Sequence, residues 1–343
     1  MRGRLAAILA SPLIYISVAF IVSLVVFMFW VPRFGTTRNL AGIGAASASL
    51  GLMAVGATLA LGAGAIDFSI AGNAAMTGSI AAVVAVNTSP EVGIVAGMLA
   101  ALLVGLVNAT VTIRFRVNAF IATLAMAGTL RGISFVVSNS VGVFVESGPL
   151  ATLGQGKLGE IPYSAIFFAV VAVCGAWALR ATTLGRSALA VGGDPAAARI
   201  AGIRTEPIQF LGYVVSALAA GMAGLLLSGR AGVAVPQAAT GTELLVFSAV
   251  LLGGTSLNGG RASVLGSAIG ILFLNTLYTG LVLAKVSPYW QTIIQGALLI
   301  IAVRVVQLRS EGRDPFQRLE ALVRGTATHD ETTRDEVTLE EKP

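Results

Sequence analysis

Charge is scarce in this sequence: 11% of its 343 residues are Asp, Glu, Lys or Arg, against about a quarter in an ordinary soluble domain. Histidine and cysteine are scarcer still, one of each: His329 in a polar C-terminal stretch and Cys174 in an apolar run. One thiol makes no disulfide framework, and with one distant imidazole it makes no zinc site of the usual kind. Histidine-based proton chemistry within the apolar part is excluded as well. No G-x-x-x-x-G-K-[ST] stretch occurs. The nearest, LGQGKLGE at 153–160, follows Gly156-Lys157 with Leu158, so the chain does not cradle nucleotide phosphates by that device. The net charge of +6 comes from 19 arginines and 3 lysines. Most of them lie between apolar runs, where basic residues set topology rather than bind nucleic acid.

What is abundant is apolar. Hydrophobic residues make up 56% of the chain, with 41 glycines, and the apolar runs recur at bilayer length, the mark of a polytopic membrane protein. Ten can be marked, at roughly 12–31, 39–62, 66–86, 92–113, 117–137, 163–181, 208–229, 242–257, 262–284 and 288–307. The predicted fold is therefore all-α: a transmembrane bundle of about ten helices over residues 1–310, with a polar, partly disordered cytoplasmic tail at 311–343. The first run is longer than a signal-peptide core, and no small-x-small site follows it, so it reads as a retained helix. Stretches 39–86 and 242–284 are rich in Gly, Ala, Ser and Thr, which lets helices approach closely, and they are expected in the bundle interior.

Basic residues fix an orientation. With the N-terminus inside and ten crossings, Arg2, Arg4, Arg114, Arg116, Arg180, Arg186, Arg199, Arg204, Arg261, Arg304 and Arg309 fall on the cytoplasmic side. Arg33, Arg38, Lys157, Arg230 and Lys285 fall outside, and Arg131 sits within a helix. Eleven against five supports both termini inside. The outer loop from Ser138 to Ile161 is glycine-rich and carries Glu146, Lys157 and Glu160; it reads either as a gating or docking element or as a plain connector. Ala71–Ser79 (AGNAAMTGS) resembles Gly259–Ser267 (GGRASVLGS). The offset lays segments two to four over eight to ten and predicts a parallel internal repeat.

One compact basic stretch interrupts the apolar runs: LGRSALAVGGDPAAARIAGI, Leu184 to Ile203. Gly192-Gly193 reads as a turn or hinge, Asp194 as an N-cap, Pro195 as the first helical residue and Gly202 as the stop. Arg199 and Arg204 supply charge, and Ile200 and Ile203 an apolar contact. A helix of two turns needs packing to persist. That packing comes either from the protein's own surface or from a partner. With its preceding threonines the stretch resembles the coupling region of ribose-type ABC importer permeases, commonly T-x-x-G-R-x-x-x-A-x-G-G-N-x-x-A-A-R-x-x-G-I. Gly185, Arg186, Ala190, Gly192, Gly193, Ala197, Ala198, Arg199, Gly202 and Ile203 match; Asp194 replaces Asn and Ala196 replaces Glu. Three further stretches resemble that family in the same order: AIDFSIAG (65–72), VNAFIATLAMAGTLRG (117–132) and VFSAVLLGGTSLNGGRASVLGSAIG (246–270).

The resemblance implies a membrane subunit without enzymatic activity. Its partners would be a cytoplasmic ABC ATPase, which holds ATP and Mg, an extracytoplasmic solute-binding protein, a second permease copy or paralogue, and the bilayer. Arg186, Gly192, Gly193, Asp194, Ala197, Ala198, Arg199, Gly202 and Ile203 would then form the ATPase-coupling segment; Arg186 and Arg199 also read as simple topology anchors. Asp67, with Ser69, either caps the third helix or lines the path, the cap being favoured. Asn73, Asn108, Asn118, Thr123, Thr255, Ser256 and Asn275 are the other candidate path residues, each with interhelical hydrogen bonding as its plainer reading. The second function class is an ion-gradient-driven secondary transporter of a small polar solute. That class favours paired intramembrane acids, whereas Asp67 stands nearly alone.

Overall fold

The computed structural model describes residues 12–145, 148–287, 289–294, 296–297 and 300. Arg2, Arg4, Glu146, the Arg304 and Arg309 anchors, most of the tenth apolar segment and the 311–343 tail lie outside them. The helices are α1 Pro12–Trp30, α2 Thr37–Gly62, α3 Ile70–Asn87, α4 Pro90–Ala109, α5 Ala119–Val137, α6 Pro149–Gln155, α7 Tyr163–Ala181, α8 Thr183–Gly193, α9 Pro195–Ile200, α10 Thr205–Ala231, α11 Thr242–Leu252 and α12 Val264–Leu283. Among the described residues, eight helices are long and apolar enough to cross a membrane. The predicted helical membrane bundle is what folds.

The small-residue stretches are inside, as composition predicts. α2 packs against α7, α10, α11 and α12, and α3 against α4, α5 and α10. Most of α2 and α3 is buried. Glycines make these approaches possible: a Cβ on Gly56 would meet Ala219, one on Gly224 the Ala74 carbonyl, and one on Gly253 the Gly266 backbone. Without a hydrophobic driving force in lipid, such close dispersion contact is what holds helices together. Leu52, Ile70, Phe168, Leu226, Phe247 and Ile271 fill the centre of this core.

Two expectations need correction, and one open alternative is decided. The 242–257 run does not form one crossing helix, because α11 stops at Leu252. Its 11 residues span about 16 Å, half a hydrocarbon core of about 30 Å. Gly254, at φ +93°, turns the chain out of the helix, and Ser263 restarts it by accepting the Gly266 amide at 3.1 Å. The proposed repeat also falls out of register: Ala71–Ser79 lies within α3, whereas Gly259–Ser263 precedes α12. Finally, the bundle carries two small antiparallel strand pairs, Val143–Phe144 with Val233–Ala234 and Lys157–Leu158 with Ile161–Pro162. With α6, whose Gln155 side chain donates to Gly229 O at 2.9 Å, they make the described part of the 138–161 loop a folded element rather than a plain connector.

α4 does not end cleanly. Its last turn widens into a π-turn, Thr110–Arg114, with the Phe115 amide reaching back to Thr110 O at 3.1 Å. Such wide turns occur often at functional places.

Candidate functional site

The short helix α9 is built by its own sequence. Asp194 Oδ1 accepts the amides of Ala196 (2.9 Å) and Ala197 (3.0 Å), which satisfies two of the helix's orphan donors. At the other end Gly202 adopts φ +83°. There the Ile203 amide donates to Ala198 O, and the Gly202 amide to Arg199 O, both at 3.0 Å. That pair of bonds is a Schellman closure. Ala198 is the one buried residue of α9; Ala197, Arg199 and Gly202 are exposed, Ile203 is half-buried, and Ile200 is 90% exposed. The helix thus holds its shape while presenting an isoleucine to the outside between Arg199 and Arg204. Arg186 is exposed and donates to Ala181 O at 3.2 Å, closing the end of α7.

Gly192 and Gly193 are not a turn. Both are helical, the last residues of α8, and the break comes at Asp194. Their smallness serves close approach instead. A Cβ on Gly192 would strike the Gly62 carbonyl oxygen and the Gly260 and Gly64 amide nitrogens; one on Gly260 would strike Gly193. Gly260 N also donates to Gly62 O at 3.4 Å. The base of α9 is therefore wedged, backbone against backbone, between the α2–α3 and α11–α12 connections. Beside it, the π-turn, Leu184 and the start of α10 enclose a mainly apolar groove of about 710 Å³.

The candidate path residues divide. Asp67, Ser69, Asn73, Asn108, Thr123, Thr255 and Asn275 are buried and join helices. Asp67 Oδ1 accepts from the Ser69 amide (3.0 Å), the Ser69 hydroxyl (2.6 Å) and Asn108 Nδ2 (3.4 Å). The Asn108 amide also donates to Ser69 Oγ at 2.8 Å. Thr123 Oγ1 accepts the Phe68 amide at 3.0 Å, which ties α5 to the same connection. Asn73 donates to Ala217 O (3.0 Å) and accepts from Thr77 (3.2 Å). Thr255 accepts the Ser263 amide at 3.1 Å, and Asn275 donates to Ser47 Oγ at 3.0 Å. Ser256 is half-buried and holds its own loop by accepting the Asn258 amide at 3.2 Å. Asn118 lies apart from these, exposed, capping α5 by accepting the Ile121 amide at 3.2 Å. Asp67 caps the Ser69 turn just before α3; its second oxygen, Oδ2, is buried, and the Ser216 hydroxyl of α10, also buried, interacts with the same carboxylate.

Residues 39–303 match the family described as branched-chain amino acid transport system / permease component. The chain belongs to that family. An L-arabinose ABC transporter permease protein, AraH, of Azospirillum brasilense is 36% identical over 284 residues, covering 82% of this chain and 84% of its own. The ribose import permease protein RbsC of Escherichia coli K12 is 36% identical over 279 residues, 80% of this chain and 87% of its own. The L-arabinose transport system permease protein AraH of the same strain is 33% identical over 287 residues, 83% and 88% of the two chains. No solved structure matches. The protein is a multi-pass inner-membrane permease of an ABC importer, and the secondary-transporter reading falls away.

Sequence reading missed one pair in this permease. Arg131, set aside there as a basic residue within a helix, approaches Glu243 of α11 at 3.8 Å. It also missed an aromatic group: Phe68 stacks on Phe247 with centroids 4.1 Å apart and meets Phe120 edge-on at 5.0 Å. The signal available for the pair was the rarity of charge: each stands within or at the start of an apolar run.

Proposed function

We propose that this permease forms the path for a sugar or sugar-like solute, delivered by an external binding protein and driven by a separate cytoplasmic ATPase that binds ATP and Mg. The family match and the ribose and arabinose permeases among its relatives support this reading. One observation carries the coupling role: α9 is capped at both ends and leaves Ile200 90% exposed. An isolated helix of six residues does not persist on its own. Fixed on its base by the glycine contacts, it offers a rigid apolar knob with an arginine rim, the form of an anchor for a partner's pocket. Residues 194–203 would sit in a groove of the ATPase, with both termini of the permease on that side. Two permease copies, or this chain and a paralogue, would enclose the path. The buried hydroxyls and amides from Asp67 to Asn275 would hold the bundle between its states, some of them meeting the solute in turn.

The test is affinity purification of the tagged chain from native membranes in mild detergent. An ABC ATPase is expected to accompany it and to be lost with Ile200→Asp. Recovery of the folded chain alone across several detergents would overturn the coupling role. The binding protein of the same system then identifies the sugar it retains.

A further inference from the structure

One flank of α5 is open. Phe120 and Arg131 are eleven residues apart, so they fall on the same side of the helix about 16 Å from each other. Leu124 and Gly128 lie between them on that flank and are exposed; nothing stands within 4 Å of where a Gly128 Cβ would be. The neighbouring stripe, Thr123, Ala127, Leu130 and Ser134, is the buried one, against α3. One end of the flank approaches α11 directly, and the other reaches it through Phe68. Arg131 Nη2 stands 3.8 Å from Glu243 Oε1, and Phe120 touches Phe68, which stacks on Phe247. Glu243 and Phe247 are one turn apart on α11. The two helices are thus bridged by charge at one end and by aromatic rings at the other, with an open trough between.

Lipid does not fit this trough. Arg131 is well inside the span of α5, and helical side chains lean toward the N-terminus, here away from the nearer helix end. An arginine at such depth faces a water-filled cavity or protein rather than hydrocarbon. Glu243 Oε2 is buried in this conformation and has no hydrogen-bond partner, so the pair holds an unused acceptor beside guanidinium donors. Donors and an acceptor side by side suit vicinal hydroxyls, which both give and take hydrogen bonds, and aromatic rings suit the apolar face of a sugar ring. A pair of opposite charges carries no net charge to hold an ion. We infer that this flank is the solute-facing wall of the translocation path, with Arg131 and Glu243 binding the hydroxyls of an uncharged sugar. The inference rests on the permease reading above.

The full complex with its ATPase, carrying C174S to remove the native thiol, is the material for the test. G128C is treated with a charged methanethiosulfonate, which reacts with thiolate and so requires water; V170C, on an exposed face of α7, is the lipid-side reference. G128C is expected to label about tenfold faster than V170C or more. Labelling as slow as V170C would place the flank in lipid and overturns the inference. L124C repeats the test should G128C fail to reach the membrane. R131Q and E243Q are each expected to cut uptake of the sugar retained by the binding protein by about tenfold or more, a loss of the size a buried hydroxyl-bonding pair supplies, with the ATPase still attached. Unchanged uptake in both overturns the assignment. Failure of the unaltered chain to bring down an ATPase counts against the importer reading and not against the trough.

Discussion

The Ile203 amide donates to the Ala198 carbonyl at 3.0 Å, closing α9 one residue past Gly202. With the Asp194 cap, this bond shapes the segment, which the glycine contacts at its base hold in place. Removing the cap by Asp194→Ala is expected to cost the helix about 1 kcal/mol. Gly202→Ala, at a positive φ with open space around it, should cost about 1–2 kcal/mol. Both should weaken ATPase recovery several-fold, while Asp194→Asn should not. Quantitative pull-down at matched expression decides this.

Gly192→Ala is expected to disrupt the fold, because its Cβ would enter the backbone of two other segments. Gly42→Ala supplies the contrast. Gly42 lies on an exposed face of α2 with nothing nearby, and alanine there should be neutral or stabilising by up to about 1 kcal/mol. Thermal unfolding of the purified chain in detergent separates the two; equal melting temperatures would refute the close packing.

Thr58 bonds to Ser267 Oγ at 2.7 Å and to Ala54 O at 2.6 Å, joining α2 to α12. Thr58→Val keeps the shape and removes the donor, and should lower stability by about 0.6–1.7 kcal/mol. Ser267→Ala should cost a similar amount, and the double variant less than the sum of the two. Additive losses in that cycle would mean the bond contributes nothing.

Asp67 separates a cap from a charge. Asp67→Asn keeps an oxygen for Ser69 and Asn108, so its stability is expected within about 1 kcal/mol of the original, whereas Asp67→Ala leaves buried donors unmet and should lose about 1–3 kcal/mol. Uptake by Asp67→Asn is expected to persist. Loss of uptake in a stable Asp67→Asn protein would instead assign the carboxylate a role in the path.

Much of this was legible because it is local. Asp194, Pro195 and Gly202 cap a helix by rules that act over a few residues, and apolar runs report spans directly. Hydropathy counts apolar residues but not helical continuity, so 242–257 passed for a crossing although Gly253 and Gly254 end α11. Gly192-Gly193 was read as a turn because soluble proteins use the pair that way; among packed membrane helices a glycine more often marks where another backbone passes. The partners of buried polar groups, Asn275 with Ser47 or Arg131 with Glu243, lie 228 and 112 residues apart. No periodicity links such distant positions, so only the fold brings them together.

Glycine at the base of α9 has a mechanical consequence. Where backbone meets backbone there is no side chain to rotate and absorb a displacement, so the joint is stiff. Gly192 bears at once on Gly62 and Gly64, which lead to Asp67, and on Gly259 and Gly260, which follow Thr255. On the proposed coupling, a push on Ile200 would be delivered to two distant stretches of chain in a single stroke. The short helix would then work as a crank, with the two glycine connections turning on the same shaft.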